Sequence, residues 1–210
     1  MSPRQANADN IPGSIGIHAH YGVGLSFPSP MNPPDYKFDW KLDDGTVIAI
    51  RTMRPDDALI EQDFVRSLSP RSSAMRFFSP VRELSAAALK KFTNTDFPNE
   101  MALLATVDEN GTEREIGVAR YAPGSGSAQV EFAVVVADDW QCKGIGTELL
   151  RHLFSIESEV GINSIEGLIL RENKAMLGLA RKFGFSIRRD KEDADIVLEY
   201  KGIQIQAGQD

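Results

Sequence analysis

The most informative part of this sequence is a predicted strand, a short loop and a helix that begins at two glycines. Residues 129–136 are mostly apolar, and from Ile145 onward the apolar residues recur with the spacing of one helical face. Backbone amides in the first turn of a helix lack an intrahelical acceptor, and the helix dipole adds positive potential there. The segment therefore predicts an anion site, which Gly144 and Gly146 keep free of side chains and to which Lys143 adds a charge.

Hydrophobic periodicity along the rest of the chain predicts an α/β (α+β) fold, with one mixed sheet and helices on both of its faces. The Asn110-Gly111 pair predicts a tight turn between two of the strands. The predicted strands are residues 46–51, 101–107, 115–121, 129–136, 164–170, 185–189 and 196–200. The predicted helices are residues 55–68, 86–92, 145–160 and 173–183, and residues 71–78 are interpreted as a short helix or a loop.

The distribution of proline and glycine predicts the domain organisation. Residues 1–35 are rich in both and lack apolar periodicity, so we expect a flexible arm there, a folded domain over residues 36–203 and a tail over residues 204–210. No apolar run is long enough to cross a membrane, and the N-terminus lacks the apolar core of a signal peptide. We therefore expect a cytoplasmic protein with no membrane partner.

Charge and cysteine content exclude several functional classes. The net charge is −7, whereas a protein that binds nucleic acid is usually basic. The chain has one cysteine, which excludes an intrachain disulfide and a cysteine-rich zinc site. We expect neither a nucleic acid partner nor a metal.

The glycine-opened helix resembles the acetyl-CoA motif of the GNAT superfamily of N-acetyltransferases. Its residues read Gln141-x-x-Gly144-x-Gly146, which is similar to the family's Arg/Gln-x-x-Gly-x-Gly/Ala. A helix led by Asn173 and followed by Gly-Phe resembles the second element of the family. The resemblance covers residues 46–200 and implies a GNAT-like, mostly antiparallel central sheet.

A narrower resemblance is to the acetyltransferase domain of bacterial protein lysine acetyltransferases. It rests on residues 54–57, 69–78 and 131–136. It implies an acyl-CoA-dependent N-acetyltransferase that acts on a protein lysine. A small amine, such as a polyamine, an amino acid or a drug, is the alternative acceptor, and a non-catalytic acyl-CoA sensor is the alternative class. A homodimer is compatible with the sequence.

The resemblance also implies where the coenzyme lies. Acetyl-CoA would occupy a splay beside residues 131–136, where backbone groups of that strand would pair with the pantetheine arm. Amides of the loop and helix start would hold the pyrophosphate, and Asn173 would bind the polar arm of the coenzyme. The residues so implied to bind the coenzyme are Val134, Val135, Val136, Gln141, Cys142, Lys143, Gly144, Ile145, Gly146, Thr147, Asn173 and Met176.

Glu131 is the candidate general base, because an amine must lose a proton before it attacks a thioester. Family members that acetylate lysine use a glutamate on this strand, and partial burial would raise the pKa of Glu131 toward a useful range. The resemblance fails at the position where many members carry a tyrosine that protonates the leaving thiolate, because Ala180 occupies it here. Tyr121 and Tyr200 are candidate substitutes, and water is a further one.

Overall fold

The computed structural model describes residues 35–124, 130–189 and 196–201. In these residues eight strands form one sheet with the order β1-β2-β3-β4-β5-β6-β8-β7. The strands are β1 (Lys37–Lys41), β2 (Val47–Thr52), β3 (Met101–Glu109), β4 (Thr112–Pro123), β5 (Val130–Val136), β6 (Ser164–Ile169), β7 (Ser186–Arg189) and β8 (Ile196–Lys201). The helices are α1 (Ala58–Ser67), α2 (Pro70–Phe77), α3 (Ala86–Thr93), α4 (Ile145–Glu159) and α5 (Lys174–Lys182).

The predicted fold class is confirmed, because neighbouring strands of this sheet are antiparallel except for the pair β5 and β6. One face of the sheet packs against α4 and α5 through a core that includes Leu149 and Leu177. The other face packs against α1, α2 and α3 through a second core that includes Phe64, Phe77 and Phe92. The side chains of one strand alternate between these two cores.

Two local predictions match the described structure. The Asn110-Gly111 turn joins β3 to β4, and both of its residues have positive φ, 58° and 83°, as a two-residue hairpin turn requires. Of residues 71–78, interpreted as a helix or a loop, all but Phe78 belong to α2, which is capped by Ser69 through a hydrogen bond from the backbone N–H of Ser72.

The strand β1 was not predicted from the sequence. This strand is the edge of the sheet in the described residues, and its side chains are exposed except for that of Trp40, which is partly buried. A five-residue strand with charged residues at both ends gives only a weak alternating pattern, although such residues suit an edge. The predicted helix over residues 55–68 also divides into a 3-10 turn, Pro55–Asp57, and α1.

Several predictions fall outside the described residues. These are the flexible arm up to residue 34, the tail over residues 204–210, and the first residue of the predicted strand 129–136. The backbone of β8 is described, but the side chain of Tyr200 is not. The domain boundaries therefore stay predictions.

Candidate active site

β5 and β6 diverge soon after they begin. Val130 pairs with Ile165 and Glu131 pairs with Glu166, and no further pair joins the two strands in the described chain. β5 nevertheless stays paired with β4 along its whole length, as far as Val136. A wedge-shaped gap therefore opens in the middle of the sheet, with the second half of β5 along one side.

Backbone groups of β5 point into this gap. The N–H of Ala137 donates to the carbonyl of Ile116 on β4, and successive residues of a strand direct their backbone groups to opposite sides. The N–H and C=O groups of Val134 and Val136 therefore point away from β4. The side-chain amide of Gln141 donates to the Val136 carbonyl over 3.1 Å, so Val134 is left with a donor and an acceptor for an extended ligand.

The loop after β5 presents a row of unpaired amides at the start of α4. Cys142 has a φ of 62° and Gly144 a φ of 90°, and these left-handed conformations turn the chain into the helix. In the described chain the N–H groups of residues 142–146 donate to no internal acceptor. Such a row is suited to an oxyanion with several oxygens, such as a diphosphate.

The structure narrows the predicted set of phosphate-binding amides. The N–H of Thr147 donates to the carbonyl of Gly144 over 2.9 Å, and that of Gln141 donates to Asp138 over 3.4 Å. Lys143 was expected to add charge to the site, but its Nζ lies 4.4 Å from the centre of the Trp140 ring. The backbone amides of Gln141 and Thr147 and the side chain of Lys143 are thus already engaged within the protein. The backbone amides of residues 142–146, including that of Lys143, are free.

Asp138 connects this loop to α2 on the other side of the gap. Its carboxylate accepts hydrogen bonds from the N–H and the hydroxyl of Ser69 and from the hydroxyl of Ser72. The side-chain amide of Gln141 also donates to Ser72, over 3.0 Å. Although partial burial opposes it, these bonds hold the pKa of Asp138 below its usual value. The start of α2 is thereby fixed to the loop that carries the free amides.

Asn173 caps α5 on the β6 side of the gap. Its Oδ1 accepts a hydrogen bond from the N–H of Met176 over 3.1 Å, which is an N-cap interaction. In the described chain its side-chain nitrogen donates to no protein group, so it is available to a ligand. Asn173 and Met176 thus both border the gap, and their role toward the coenzyme stays a prediction.

Two contiguous cavities occupy the gap. A groove of about 680 Å³ runs past β5, the loop and the first turns of α4 and α5, and it is lined by every predicted coenzyme-binding residue except Lys143. A smaller cavity of about 40 Å³ continues from it toward the point where β5 and β6 meet. Glu131, Phe132, Gly167 and Arg76 are among its lining residues.

Gly167 is required where the strands diverge. A Cβ at this position would lie 2.7 Å from the ring of Phe132, which is too close for any real side chain. Phe132 packs against Phe154 and Phe185 in the core beneath the gap. A glycine on β6 therefore lets this aromatic cluster fill the apex while the small cavity stays open above it.

Glu131 is half-buried at the small cavity, on the side of β5 that faces α1, α2 and α3. Its neighbour Phe132 belongs to the opposite core, whereas Val135 belongs to the core of α1–α3, as the alternation of a strand requires. Burial raises the pKa of the Glu131 carboxyl, the positive charge of Arg76 lowers it, and the negative charge of Glu166 raises it. A carboxylate in such a setting can accept a proton from an amine at moderate pH.

None of the predicted site residues lies on α2, although three residues of this helix or next to it line the small cavity. These are Met75, Arg76 and Phe78. The signal was present in the sequence, because Ser73, Arg76 and Phe77 have the spacing of one buried helical face, and an arginine on such a face calls for a partner.

Of the candidate substitutes for the missing tyrosine, Tyr121 receives no support, whereas the side chain of Tyr200 lies outside the described residues. Ala180 is fully buried in the core. Tyr121 is also buried, donates its hydroxyl to the carbonyl of Pro98, and lines neither cavity. Burial raises the pKa of the Tyr121 phenol, and the charge of Glu157 raises it further, so this group is a poor proton donor.

Two general findings concern the described residues. None of their helices combines the length and the apolar character needed to cross a membrane. No cluster of three or more histidine, cysteine, aspartate or glutamate side chains among them is arranged to hold a metal ion.

The family model and the related sequences that match this chain all describe acetyltransferases. The family model described as "Acetyltransferase (GNAT) domain" matches residues 48–186. Acetyltransferase PA5475 of Pseudomonas aeruginosa is 36% identical over 157 residues, which are 75% of this chain and 84% of that protein. Acetyltransferase Pat of Mycolicibacterium smegmatis is 28% identical over 124 residues, which are 59% of this chain but 36% of that protein.

Solved structures share the fold. The GNAT domain of S. lividans PAT superposes with a TM-score of 0.72 and 29% identity, covering 81% of this chain and 99% of that one. The yncA protein of Salmonella typhimurium, described as a putative acetyltransferase with its cofactor acetyl-CoA, has a TM-score of 0.58 and 19% identity. It covers 76% of this chain and 96% of its own.

Proposed function

This chain belongs to the GNAT acetyltransferase family, and we propose that the amine it acetylates is a protein lysine, with Glu131 as the general base. The acetyl donor of the family is acetyl-CoA. The observation that carries the proposal is that the long groove, which passes the free amides at the start of α4, shares lining residues, among them Val134 and Asn173, with the small cavity that Glu131 lines.

The groove is suited to the successive parts of the coenzyme. The free amides at the start of α4 would hold the pyrophosphate, where the helix dipole adds to their attraction. The N–H and C=O of Val134 would pair with the amides of the pantetheine arm, as an added strand does. The free side-chain nitrogen of Asn173 would donate to the same arm. This arrangement directs the thioester toward the small cavity.

Glu131 supports direct attack by the amine. A lysine is mostly protonated at neutral pH, and only its neutral form is a nucleophile. Glu131 would take that proton, after which the neutral amine nitrogen attacks the thioester carbonyl. The C–S bond then breaks, and the departing thiolate takes up the second proton that the nitrogen loses as the amide forms. A thiol with a pKa of about 8.5 leaves without full protonation, which removes the need for a tyrosine at position 180.

The choice of a lysine as the acceptor rests on the two walls of the small cavity. Residues 69–78 and 131–136 resemble those of bacterial protein lysine acetyltransferases, and these segments form the α2 and β5 walls of the small cavity. The cavity has a volume of only about 40 Å³. An unbranched aminoalkyl chain is a suitable shape to reach Glu131 through it.

The test is acetyl transfer by the full chain to lysine peptides, whole-lysate proteins and a panel of small amines, followed by mass spectrometry. We expect the unaltered chain to acetylate lysine and Glu131→Gln to lower kcat about 100-fold or more while coenzyme binding persists. Glu83→Gln, an exposed glutamate outside both cavities, is the matched control.

Each part of the proposal has its own contradicting result. Acetylation of small amines alone would replace lysine as the acceptor. A Glu131→Gln variant with unchanged rate and pH profile would remove Glu131 as the base. Coenzyme binding without acetylation of any amine would favour the non-catalytic sensor.

A further inference from the structure

Arg76 is a buried arginine without a counter-ion. Its side chain lines both the small cavity and the long groove, yet Arg76 is only 7% exposed. In the described chain its guanidinium makes no hydrogen bond and no ion pair, and its one aromatic contact is with the adjacent Phe77 ring, 4.9 Å away. An arginine has five N–H donors, so several stay unsatisfied here.

The same chain satisfies another buried arginine completely. Arg51, 6% exposed, donates two hydrogen bonds to the carboxylate of Asp57 and two to that of Glu113. A buried cation is costly unless it is paired, so the contrast between Arg51 and Arg76 needs an explanation. Because Arg76 lines both cavities, its guanidinium is accessible to a ligand there.

The charges around Arg76 do not replace a paired counter-ion. Burial, together with the like charge of Arg120, lowers the pKa of the Arg76 guanidinium to about 10. Glu61 and Glu131 act in the opposite direction but only at longer range. A carboxylate that entered the cavity would meet an unsatisfied fork of N–H donors, for which bidentate binding is the preferred geometry.

We propose that Arg76 binds a carboxylate of the acceptor, so that the preferred substrate carries an anionic group a short distance from the amine it presents to Glu131. The inference rests on the proposed function and narrows its acceptor. The carboxylate belongs either to an acidic residue beside the target lysine or to a free amino acid. In both cases Arg76 binds the carboxylate of the acceptor, while Glu131 takes a proton from its ammonium group.

The first test needs no substitution. Lysine peptides with Glu or Gln beside the lysine form one arm, and glycine, β-alanine and 4-aminobutyrate, each compared with its amide, form the other. All rates are measured at a pH where Glu131 is ionised. We expect kcat/KM to be about tenfold or more higher for the carboxylate member of the pair in one arm, mainly through KM. A ratio near one in both arms would overturn the proposal.

The second test removes the guanidinium. In Arg76→Gln we expect the carboxylate preference to disappear while the rate with the amide partner is largely retained. Arg76→Lys keeps the charge without the fork and should give an intermediate ratio. Arg82→Gln, an exposed arginine beyond α2, is the matched control and should keep the full preference. A preference that survives in both Arg76 variants, or rates that fall equally for both partners, would assign Arg76 a structural role alone.

Calorimetric binding separates this proposal from the proposed function. N-acetylglycine and an acetyl-lysine peptide with a neighbouring Glu are titrated into the unaltered chain and Arg76→Gln in the presence of coenzyme A, beside their uncharged counterparts. Binding that depends on both the carboxylate and Arg76 would support the subsite even if no amine were acetylated. Equal binding of charged and uncharged probes would overturn it even if lysine were acetylated.

Discussion

Arg76 and Glu131 line the same cavity, and the positive charge of Arg76 offsets part of the rise that burial produces in the pKa of Glu131. A general base acts only when it is deprotonated, so the rate should rise with pH through the pKa of Glu131. Without the cation that pKa is higher, and the acidic limb of the kcat profile of Arg76→Gln should move to higher pH. An unmoved limb, with Arg82→Gln as reference, would mean that Glu131 is not the titrating group.

Gly144 has a φ of 90°, and a Cβ there would lie 3.3 Å from the Trp40 ring. Gly144→Ala should therefore lower the free energy of unfolding by about 1–2 kcal/mol and weaken coenzyme binding. Gly178 is an exposed glycine inside α5 with open space around it. Gly178→Ala should instead stabilise the protein, by up to about 1 kcal/mol. Denaturant unfolding of both variants measures the two signs, and destabilisation of equal size in both would contradict the argument.

The ionic group of Arg51, Asp57 and Glu113 fastens the end of β2 to the turn before α1 and to β4. Arg51 is buried, and its removal leaves the carboxylate of Asp57 buried and unpaired. Arg51→Met should lower the free energy of unfolding by about 3–5 kcal/mol. Arg66→Met, at an exposed arginine that contacts Glu83 and Asp63, should change it little. Similar losses in the two variants would show that burial of the pair is unimportant.

Asp138 accepts three hydrogen bonds from the start of α2, so it holds this helix against the loop that carries the free amides. Asp138→Ala should raise KM for both substrates about fivefold, which corresponds to about 1 kcal/mol, with a smaller effect on kcat. Asp139→Ala, at the exposed neighbour, should leave both KM values unchanged. Steady-state kinetics with each substrate varied measures this, and an effect on one substrate only would break the proposed link.

Burial raises the pKa of Glu157 on α4 from 4.5 to about 7. The folded state therefore binds this proton more tightly than the unfolded chain, and the stability of the protein should fall as pH rises from 4.5 to 7. Glu157→Gln removes that loss and should be more stable than the unaltered chain at pH 8 by an amount on the order of 1–2 kcal/mol after solvent screening, with little gain at pH 4. Glu159→Gln, exposed on the same helix, should show no such dependence. Denaturant unfolding of the variants at pH 4 and pH 8 measures the difference, and an equal gain for Glu157→Gln at both pH values would contradict the prediction.

The strand, the loop and the helix start that border the groove could be predicted from the sequence, because they are local features. β5, the loop and the start of α4 are consecutive in sequence, and Gly144 and Gly146 indicate where the free amides lie. The contacts of α2 with this site could not be predicted, because they join distant parts of the chain. Asp138 meets Ser69 across 69 positions of sequence, and only the folded chain brings Arg76 to the cavity that Glu131 lines. Likewise, β1 is fixed by its pairing with β2 and not by its own pattern.

The divergence of β5 and β6 also bears on solubility. A strand with unpaired backbone groups usually invites a second chain to add to the sheet. Here the bare stretch lies in the interior of the sheet, and residues of α2 and α5 line the groove beside it. These residues leave a groove of about 680 Å³ beside the bare backbone groups, so those groups face an internal space rather than an open edge to which a second chain could add.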